Sequence, residues 1–141
     1  MSNVFSINQN SEHKPAAQVG AQSITDIIAK LSAPIAARHL KRRKQGGAEL
    51  AYIERHTAVK YLDLFAPGWS YRVGNVSLLG ELVTVVASIS IPAADGIITH
   101  EASGCESLNA KGYGDAVSNA EAMALKRAAA KFGLGLYLYS K

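Results

Sequence analysis

The feature that most constrains this chain is a segment near its middle in which every second residue is apolar. The apolar positions are Val83, Val85, Ala87, Ile89 and Ile91. Successive side chains of a β-strand point to opposite faces, so the pattern predicts a strand over 81–91 with one buried face. Asp95-Gly96 is a strong turn signal, and we expect residues 97–105 to return antiparallel to this strand.

Shorter apolar patterns predict further elements on the N-terminal side. They are a helix over 23–33 capped by Ser23, a strand over 50–54, a helix over 56–65 and a strand that begins at Trp69. Pro34 and Pro67-Gly68 end the two helices. Gly46-Gly47 indicates a loop or turn after the positively charged stretch 38–44.

A long helix is predicted from Ser118, with Glu121 at the capping-box position, to about Phe132. One face, centred on Leu125, suits packing on a sheet. The other faces carry alanine where charged residues are usual, interrupted by Lys126, Arg127 and Lys131. Small side chains permit close packing on more than one neighbour, but alanine is also the best helix former, so both explanations stay open.

This order of elements predicts an α+β fold. An antiparallel β-meander of three to four strands would pack against the long C-terminal helix, with an additional helix near the N-terminus. The 141 residues suffice for one such domain over 21–141. Residues 1–20 are polar and lack any period, so we expect a flexible arm there.

Charge and cysteine content bear on partners and compartment. The formal net charge is +4, which favours a nucleic-acid partner, although an ordinary basic protein has the same balance. Cys105 is the only cysteine, and no apolar run approaches the roughly 20 residues that cross a bilayer. We therefore expect a cytoplasmic, nucleoid-associated protein without a membrane partner.

The sequence contains no recognisable catalytic or metal-binding motif. The four histidines lack metal-ligand spacing to one another or to Cys105, and no phosphate-binding Gly-x-x-x-x-Gly-Lys segment occurs. Glu101, Glu106 and Asp115 could form a nuclease site on paper, but they match no acidic motif. We expect a protein that is not an enzyme and needs no metal or cofactor.

Motifs in the last helix and upstream of it carry the strongest functional signal. The matching segments are 51–54, 67–71, 113–121, 124–128 and 131–133. In this order and spacing they resemble the Rad52 family of single-strand annealing proteins, which includes the bacterial DdrA branch and phage members. The resemblance spans about 24–133.

The resemblance implies a function. Family members use a strand–strand–strand–helix core and assemble into homo-oligomeric rings. They hold single-stranded DNA in a positively charged groove and anneal complementary strands, independently of sequence, in recombination and double-strand-break repair. The implied partners are single-stranded DNA, further copies of the chain, and a recombinase or single-strand binding protein.

The resemblance also suggests DNA-binding residues. Lys126 and Arg127 match the family's basic pair, and Tyr52 matches an aromatic position near the groove. Arg42 or Arg43 falls near a basic residue that precedes that strand, with the register left open. The full candidate set is Arg38, Lys41, Arg42, Arg43, Lys44, Tyr52, Arg55, Lys60, Lys126, Arg127 and Lys131.

Two positions depart from the family pattern. Ala130, followed by Lys131, stands where some relatives have a further arginine, and Arg55 stands where glycine is common. Two other binding functions also stay open. One is protection of single strands or binding of double-stranded RNA without annealing, which a sheet with a basic helix also suits. The other is an adaptor that recruits a recombinase.

Overall fold

The structure is a computed structural model that describes residues 19–109 and 115–139. Its helices are α1 (Ile24–Leu31), α2 (Arg55–Phe65) and α3 (Ala116–Ala130). Its strands are β1 (Lys41–Gln45), β2 (Ala48–Tyr52), β3 (Ser70–Leu79), β4 (Leu82–Ala93) and β5 (Gly96–Ser107). Short 3-10 turns cover Ala37–His39 and Leu136–Tyr139. The predicted α+β class is confirmed. Nearly all of the predicted arm over 1–20 lies outside the described residues.

Strands β3, β4 and β5 form an antiparallel sheet in that order. The alternating apolar residues of β4 are all buried, as their spacing predicts. The turn at Asp95-Gly96 joins β4 to β5, and Gly96 has a φ of 126°, which few other residues tolerate. The predicted hairpin is therefore confirmed, and it supplies one wall of the core.

A second, two-stranded sheet pairs β1 with β2. β2 lies two residues before the predicted strand, and β1 was not predicted, because a run of cations shows no apolar alternation. Gly46 and Gly47 both have positive φ, 61° and 82°, as the central residues of a tight hairpin turn do. The hairpin therefore holds the cations of β1 in an exposed, extended conformation.

Helix α3 packs unusually close to the three-stranded sheet. A Cβ atom added at Gly104 of β5 would overlap the carbonyl oxygen of Ala120 and lie 2.7 Å from the backbone nitrogen of Ala124. Ala120 and Ala124 are fully buried against Val83, Val85 and Ala87. The alanines of α3 are therefore a close-packing surface, and glycine on the facing strand completes it.

The ends of α3 differ in part from the prediction. The cap lies three residues before the predicted one, because the Asp115 carboxylate accepts the Ser118 backbone N–H at 2.7 Å; the predicted Ser118 cap is wrong. It ends at Ala130, and Gly133 has a φ of 105° in the following turn. By contrast, Ser23 caps α1 as predicted, accepting from the Asp26 N–H at 3.1 Å.

The larger core lies between α1, α2, α3 and one face of the sheet. Leu31, Leu62, Leu125 and Phe132 are among its fully enclosed side chains. Trp69 packs against this core, and its indole N–H donates to Asp63 at 2.7 Å. None of the helices in the described ranges is long and apolar enough to span a membrane.

Candidate functional site

A groove of about 530 Å³ opens between the β1–β2 hairpin, α3 and residues 134–139, and we call it the hairpin groove. Its cationic lining residues are Arg43, Lys126 and Arg127. Its larger apolar and aromatic lining residues are Leu50, Tyr52, Ile53, Met123, Leu134, Leu138 and Tyr139. The groove thus combines positive charge with apolar walls.

Tyr52 lies at the centre of the cationic side. The Arg43 guanidinium carbon is 5.3 Å from the centroid of the Tyr52 ring, and the Lys126 ammonium nitrogen is 5.5 Å from it. Both distances are in the range of cation–π attraction. Lys126 also donates to the backbone carbonyl of Ile53 at 3.0 Å, which fixes its ammonium group beside the hairpin.

The environment of Lys126 makes its charge costly. Burial lowers the pKa of Lys126, and the neighbouring positive charge of Arg43 lowers it further, while Glu54 acts in the opposite direction. Two like charges held close together in a partly dehydrated groove repel each other. An anion that enters between them would relieve this repulsion and stabilise the charged form of Lys126.

The register of the β1–β2 hairpin decides which of two adjacent arginines, Arg42 or Arg43, lies near the groove. Arg43 pairs with Leu50, and Arg42 pairs with Ala51. Neighbouring residues of a strand point to opposite faces, so Arg43 faces the groove with Tyr52 while Arg42 and Lys44 face away. Lys41, which pairs with Tyr52, is exposed on the Arg43 face.

Two further cations, in the last turn of α3 and directly after it, donate hydrogen bonds to β5. Arg127 donates to the carbonyl of Ser103 at 3.1 Å, and Lys131 donates to the carbonyl of Glu101. Both side chains are exposed, although Arg127 alone of the two lines the groove. Burial raises the pKa of Tyr139 at the groove mouth, and the charge of Arg127 partly offsets this effect.

Arg55 belongs to a different cluster. It forms an ion pair with Glu121 at 3.3 Å, and the Tyr71 hydroxyl donates to the same carboxylate oxygen at 2.9 Å. Burial and this hydrogen bond raise the pKa of Tyr71. Lys60 is exposed on α2 and, like Arg38 and Arg55, is not among the residues that line the groove.

Several groove residues were not predicted from the sequence, chiefly Glu106, Asn119 and Met123. Asn119 Nδ2 donates to Glu106 Oε2 at 3.3 Å. Asn119 and Met123 precede Arg127 by eight and four residues, so the helical period was a usable signal for both. Glu106 had no such signal, because its position depends on how β5 pairs with β4.

The acidic residues considered for a nuclease are separated in space. Glu101 pairs with Ser88 and Glu106 pairs with the buried Val83, so the two carboxylates lie on opposite faces of the sheet. Asp115 caps α3. Within the described residues, no three His, Cys, Asp or Glu side chains are grouped so that they could hold a metal ion.

Comparison with known proteins agrees with the motif resemblance. Residues 23–141 match the model of the Rad52/22 family of double-strand break repair proteins. The chain is 36% identical over 121 residues to "DNA repair RAD52-like protein 1, mitochondrial" of Arabidopsis thaliana, covering 84% of this chain and 69% of that protein. It is 39% identical over 94 residues to "DNA repair RAD52-like protein 2, chloroplastic", covering 65% of this chain and 47% of that protein.

Among solved structures, a chain from the de novo design of proteins with diverse pocket structures overlaps with a TM-score of 0.23 at 14% identity. The overlap covers 58% of this chain and 82% of that one, and it is too weak to bear on the fold.

The names of these relatives correct one expectation. A cytoplasmic, nucleoid-associated location was predicted from the single cysteine and from the lack of an apolar run of about 20 residues. That prediction is wrong, because the two relatives are named as mitochondrial and chloroplastic. The family itself is settled by the match over residues 23–141 together with the 36% identity. The chain belongs to the Rad52/22 family of double-strand break repair proteins.

Proposed function

We propose that this protein binds single-stranded DNA through its sugar–phosphate chain and anneals complementary strands during recombination and double-strand-break repair. The observation that carries the proposal is the pair of cations, Arg43 and Lys126, held on one Tyr52 ring in the hairpin groove. Arg127 extends this positive surface along α3. Lys41 and Lys131 are exposed nearby and would add weaker, long-range attraction.

Phosphate suits this cation pair for a physical reason. Lys126 is partly buried, Arg43 is exposed beside it, and the two positive charges repel each other, so a shared anion gains from both charges. Arg43 has several N–H donors in a planar fork that matches phosphate oxygens, while Lys126 acts as a point charge anchored on the Ile53 carbonyl. Such contacts carry no base information, as an annealing protein requires.

A single groove offers few contacts, so one subunit alone would bind weakly. Repeating the groove around a homo-oligomeric ring raises the effective concentration of each successive site along one strand. We therefore propose that the active form is a ring. Sedimentation velocity at micromolar concentration should show a large assembly, and a strict monomer would contradict this part of the proposal.

Two matched pairs of variants test the groove by fluorescence anisotropy on a labelled single strand. Arg43→Ala should weaken binding and reduce the slope of log affinity against log salt by about one, and Arg42→Ala, on the opposite face of β1, should change both much less. Lys126→Ala and Lys60→Ala form the second pair, on α3 and α2. Lys126→Ala should weaken binding and reduce the salt slope, and Lys60→Ala should change both much less. Equal effects within each pair would mean that DNA binds elsewhere.

Annealing itself needs a separate assay. Complementary labelled oligonucleotides should pair faster with the wild-type protein than alone, and Arg43→Ala should lose most of the acceleration. A protein that binds both strands but slows their pairing would be a protector of single strands. Tighter binding to double-stranded RNA than to single-stranded DNA would favour the RNA-binding alternative.

A further inference from the structure

One carboxylate outside the hairpin groove connects three elements of the fold. Glu121 of α3 accepts a hydrogen bond from the Tyr71 hydroxyl of β3 at 2.9 Å. The same carboxylate oxygen lies 3.3 Å from Nη2 of Arg55, the first residue of α2. The capping box that the sequence predicted for Glu121 is not formed, because Asp115 caps α3. Neither capping nor the lining of the groove therefore accounts for this side chain.

Stability alone does not explain the ion pair between Arg55 and Glu121. Their side chains are 44% and 26% exposed, and ion pairs with such access to water contribute little to the free energy of unfolding. Ala122, the next residue of α3, lines the groove, so the carboxylate lies close to the proposed path of the DNA. There its charge repels phosphate, which is unfavourable for binding.

The position of Arg55 shows what the ion pair holds in place. Arg55 comes directly after residues 53–54, which join β2 to α2. This junction is tied to α3 a second time, because Lys126 Nζ donates to the Ile53 carbonyl oxygen at 3.0 Å. Glu121 and Lys126 are five positions apart, which is about 7.5 Å along a helix. A single anchor would let the junction pivot, whereas two anchors fix both its position and its direction.

We propose that Glu121 is a positioning residue for single-strand binding, and that it acts through Arg55 to hold the end of β2 against α3. The inference rests on the proposed binding of DNA in the hairpin groove. Tyr52 is the last residue of β2, and its ring centroid lies 5.5 Å from Lys126 Nζ and 5.3 Å from the guanidinium carbon of Arg43. When the Glu121 anchor is lost, the hairpin moves relative to α3, and the two cations no longer meet one phosphate.

Glu121→Ala and Glu121→Gln form a matched pair, because both remove the same charge. Glutamine keeps an oxygen that accepts from Tyr71 and Arg55, and alanine keeps none. The assay is anisotropy of the full chain with labelled oligo-dT at fixed salt. Glu121→Ala should weaken binding at least about threefold, and Glu121→Gln should weaken it by no more than about twofold.

Glu101→Ala measures the effect of a lost negative charge by itself. Glu101 is exposed on β5 and is not among the residues that line the groove. Its removal should leave the affinity for oligo-dT unchanged or raise it, because the protein becomes more positive. Glu121→Ala makes the same change in charge, so a loss of affinity in that variant has to come from geometry.

A positioning residue acts through the group that it positions. Glu121→Ala should therefore have little further effect, less than about twofold, in a protein that already carries Lys126→Ala. Arg55→Met breaks the same ion pair from α2 and should show the same dependence on Lys126. It also keeps the inference testable if urea unfolding shows that Glu121→Ala does not fold.

Three results would each overturn the inference. A higher affinity in Glu121→Ala would mean that the carboxylate withholds Arg55 from the DNA. Equal affinities of the alanine and glutamine variants would mean that only the charge matters. Equal losses with and without Lys126→Ala would mean general damage to the fold, or a direct contact of Arg55 with DNA.

The proposed function fails separately. If Lys126→Ala weakens binding while any of those three results is found, the positioning role is refuted and binding in the hairpin groove stands. If Arg43→Ala and Lys126→Ala leave the affinity unchanged, the proposed function fails at this groove, and the positioning role fails with it.

Discussion

The close approach of α3 to the sheet makes Gly104→Ala the most informative test of the fold. The methyl group of alanine would overlap the carbonyl oxygen of Ala120 and lie 2.7 Å from the backbone nitrogen of Ala124. These are backbone atoms in the middle of a helix, so no side-chain rotation can remove the clash. The helix must move away from β5, or the strand must bend.

The size of the effect follows from this geometry. Ordinary contacts of a Cβ atom begin at about 3.4 Å, so the helix must shift by roughly 0.7 Å at Ala124 and by more at Ala120. Inserting one methyl group into a well-packed core costs about 1–3 kcal/mol when side chains can adjust. Because backbone has to move here, we expect a loss of about 3 kcal/mol or more in the free energy of unfolding.

Urea unfolding, followed by circular dichroism and by the fluorescence of the single tryptophan, measures this loss. A loss of that size lowers the urea midpoint by about 1–3 M for a domain of this size. Gly74→Ala is the matched control: Gly74 lies in β3, and its added methyl group would meet only the Val86 carbonyl oxygen, at an ordinary 3.6 Å. Protein concentration must be equal throughout, because assembly shifts apparent stability.

The control should change the free energy of unfolding by no more than about 1 kcal/mol. If Gly104→Ala and Gly74→Ala had equal midpoints, α3 would not pack on β5 as closely as the structure has it. The account of why the last helix is rich in alanine would then be wrong as well.

Two more predictions concern α3. Asp115→Ala should lower the free energy of unfolding by about 1 kcal/mol in the same urea assay, because the helix loses its cap, whereas Ser118→Ala should be nearly neutral. A larger loss in the free energy of unfolding for Ser118→Ala than for Asp115→Ala would mean that Ser118 is the cap after all. Because the pKa of Lys126 is lowered, its charged form is lost sooner as pH rises. Affinity for single-stranded DNA should therefore begin to fall at a lower pH than the ordinary lysine pKa would give, and less so in Lys126→Arg, since arginine stays protonated. Identical pH profiles at constant ionic strength would exclude a role for the Lys126 charge.

Elements with a strong local pattern were predictable from the sequence. The alternation along β4 predicts both the strand and its buried face, because the period of two is a property of the backbone itself. Asp95-Gly96 predicts the hairpin for a similarly local reason. The existence of α3 follows from its length and composition, although its first residue does not, because Asp115 and Ser118 are both good caps.

Strand β1 shows where local patterns fail. The run 41–44 carries four cations, and nothing in it alternates between apolar and polar. The strand forms through its pairing with β2 across the turn at Gly46-Gly47. Two glycines between two short runs are a hairpin signal, and giving that signal more weight would have predicted the strand.

The family, the α+β class and the presence of cations on the last helix and before β2 could be predicted from the amino-acid order alone, because they depend on local motifs and periodicities. Three-dimensional packing was needed to show that Arg43, and not Arg42, shares the Tyr52 ring with Lys126, and that Glu106 lines the same groove. Side chains of a strand alternate between two faces, so a register shift of one residue would exchange each of these assignments. Register is set by long-range pairing and by the packing of α3, which no local pattern contains.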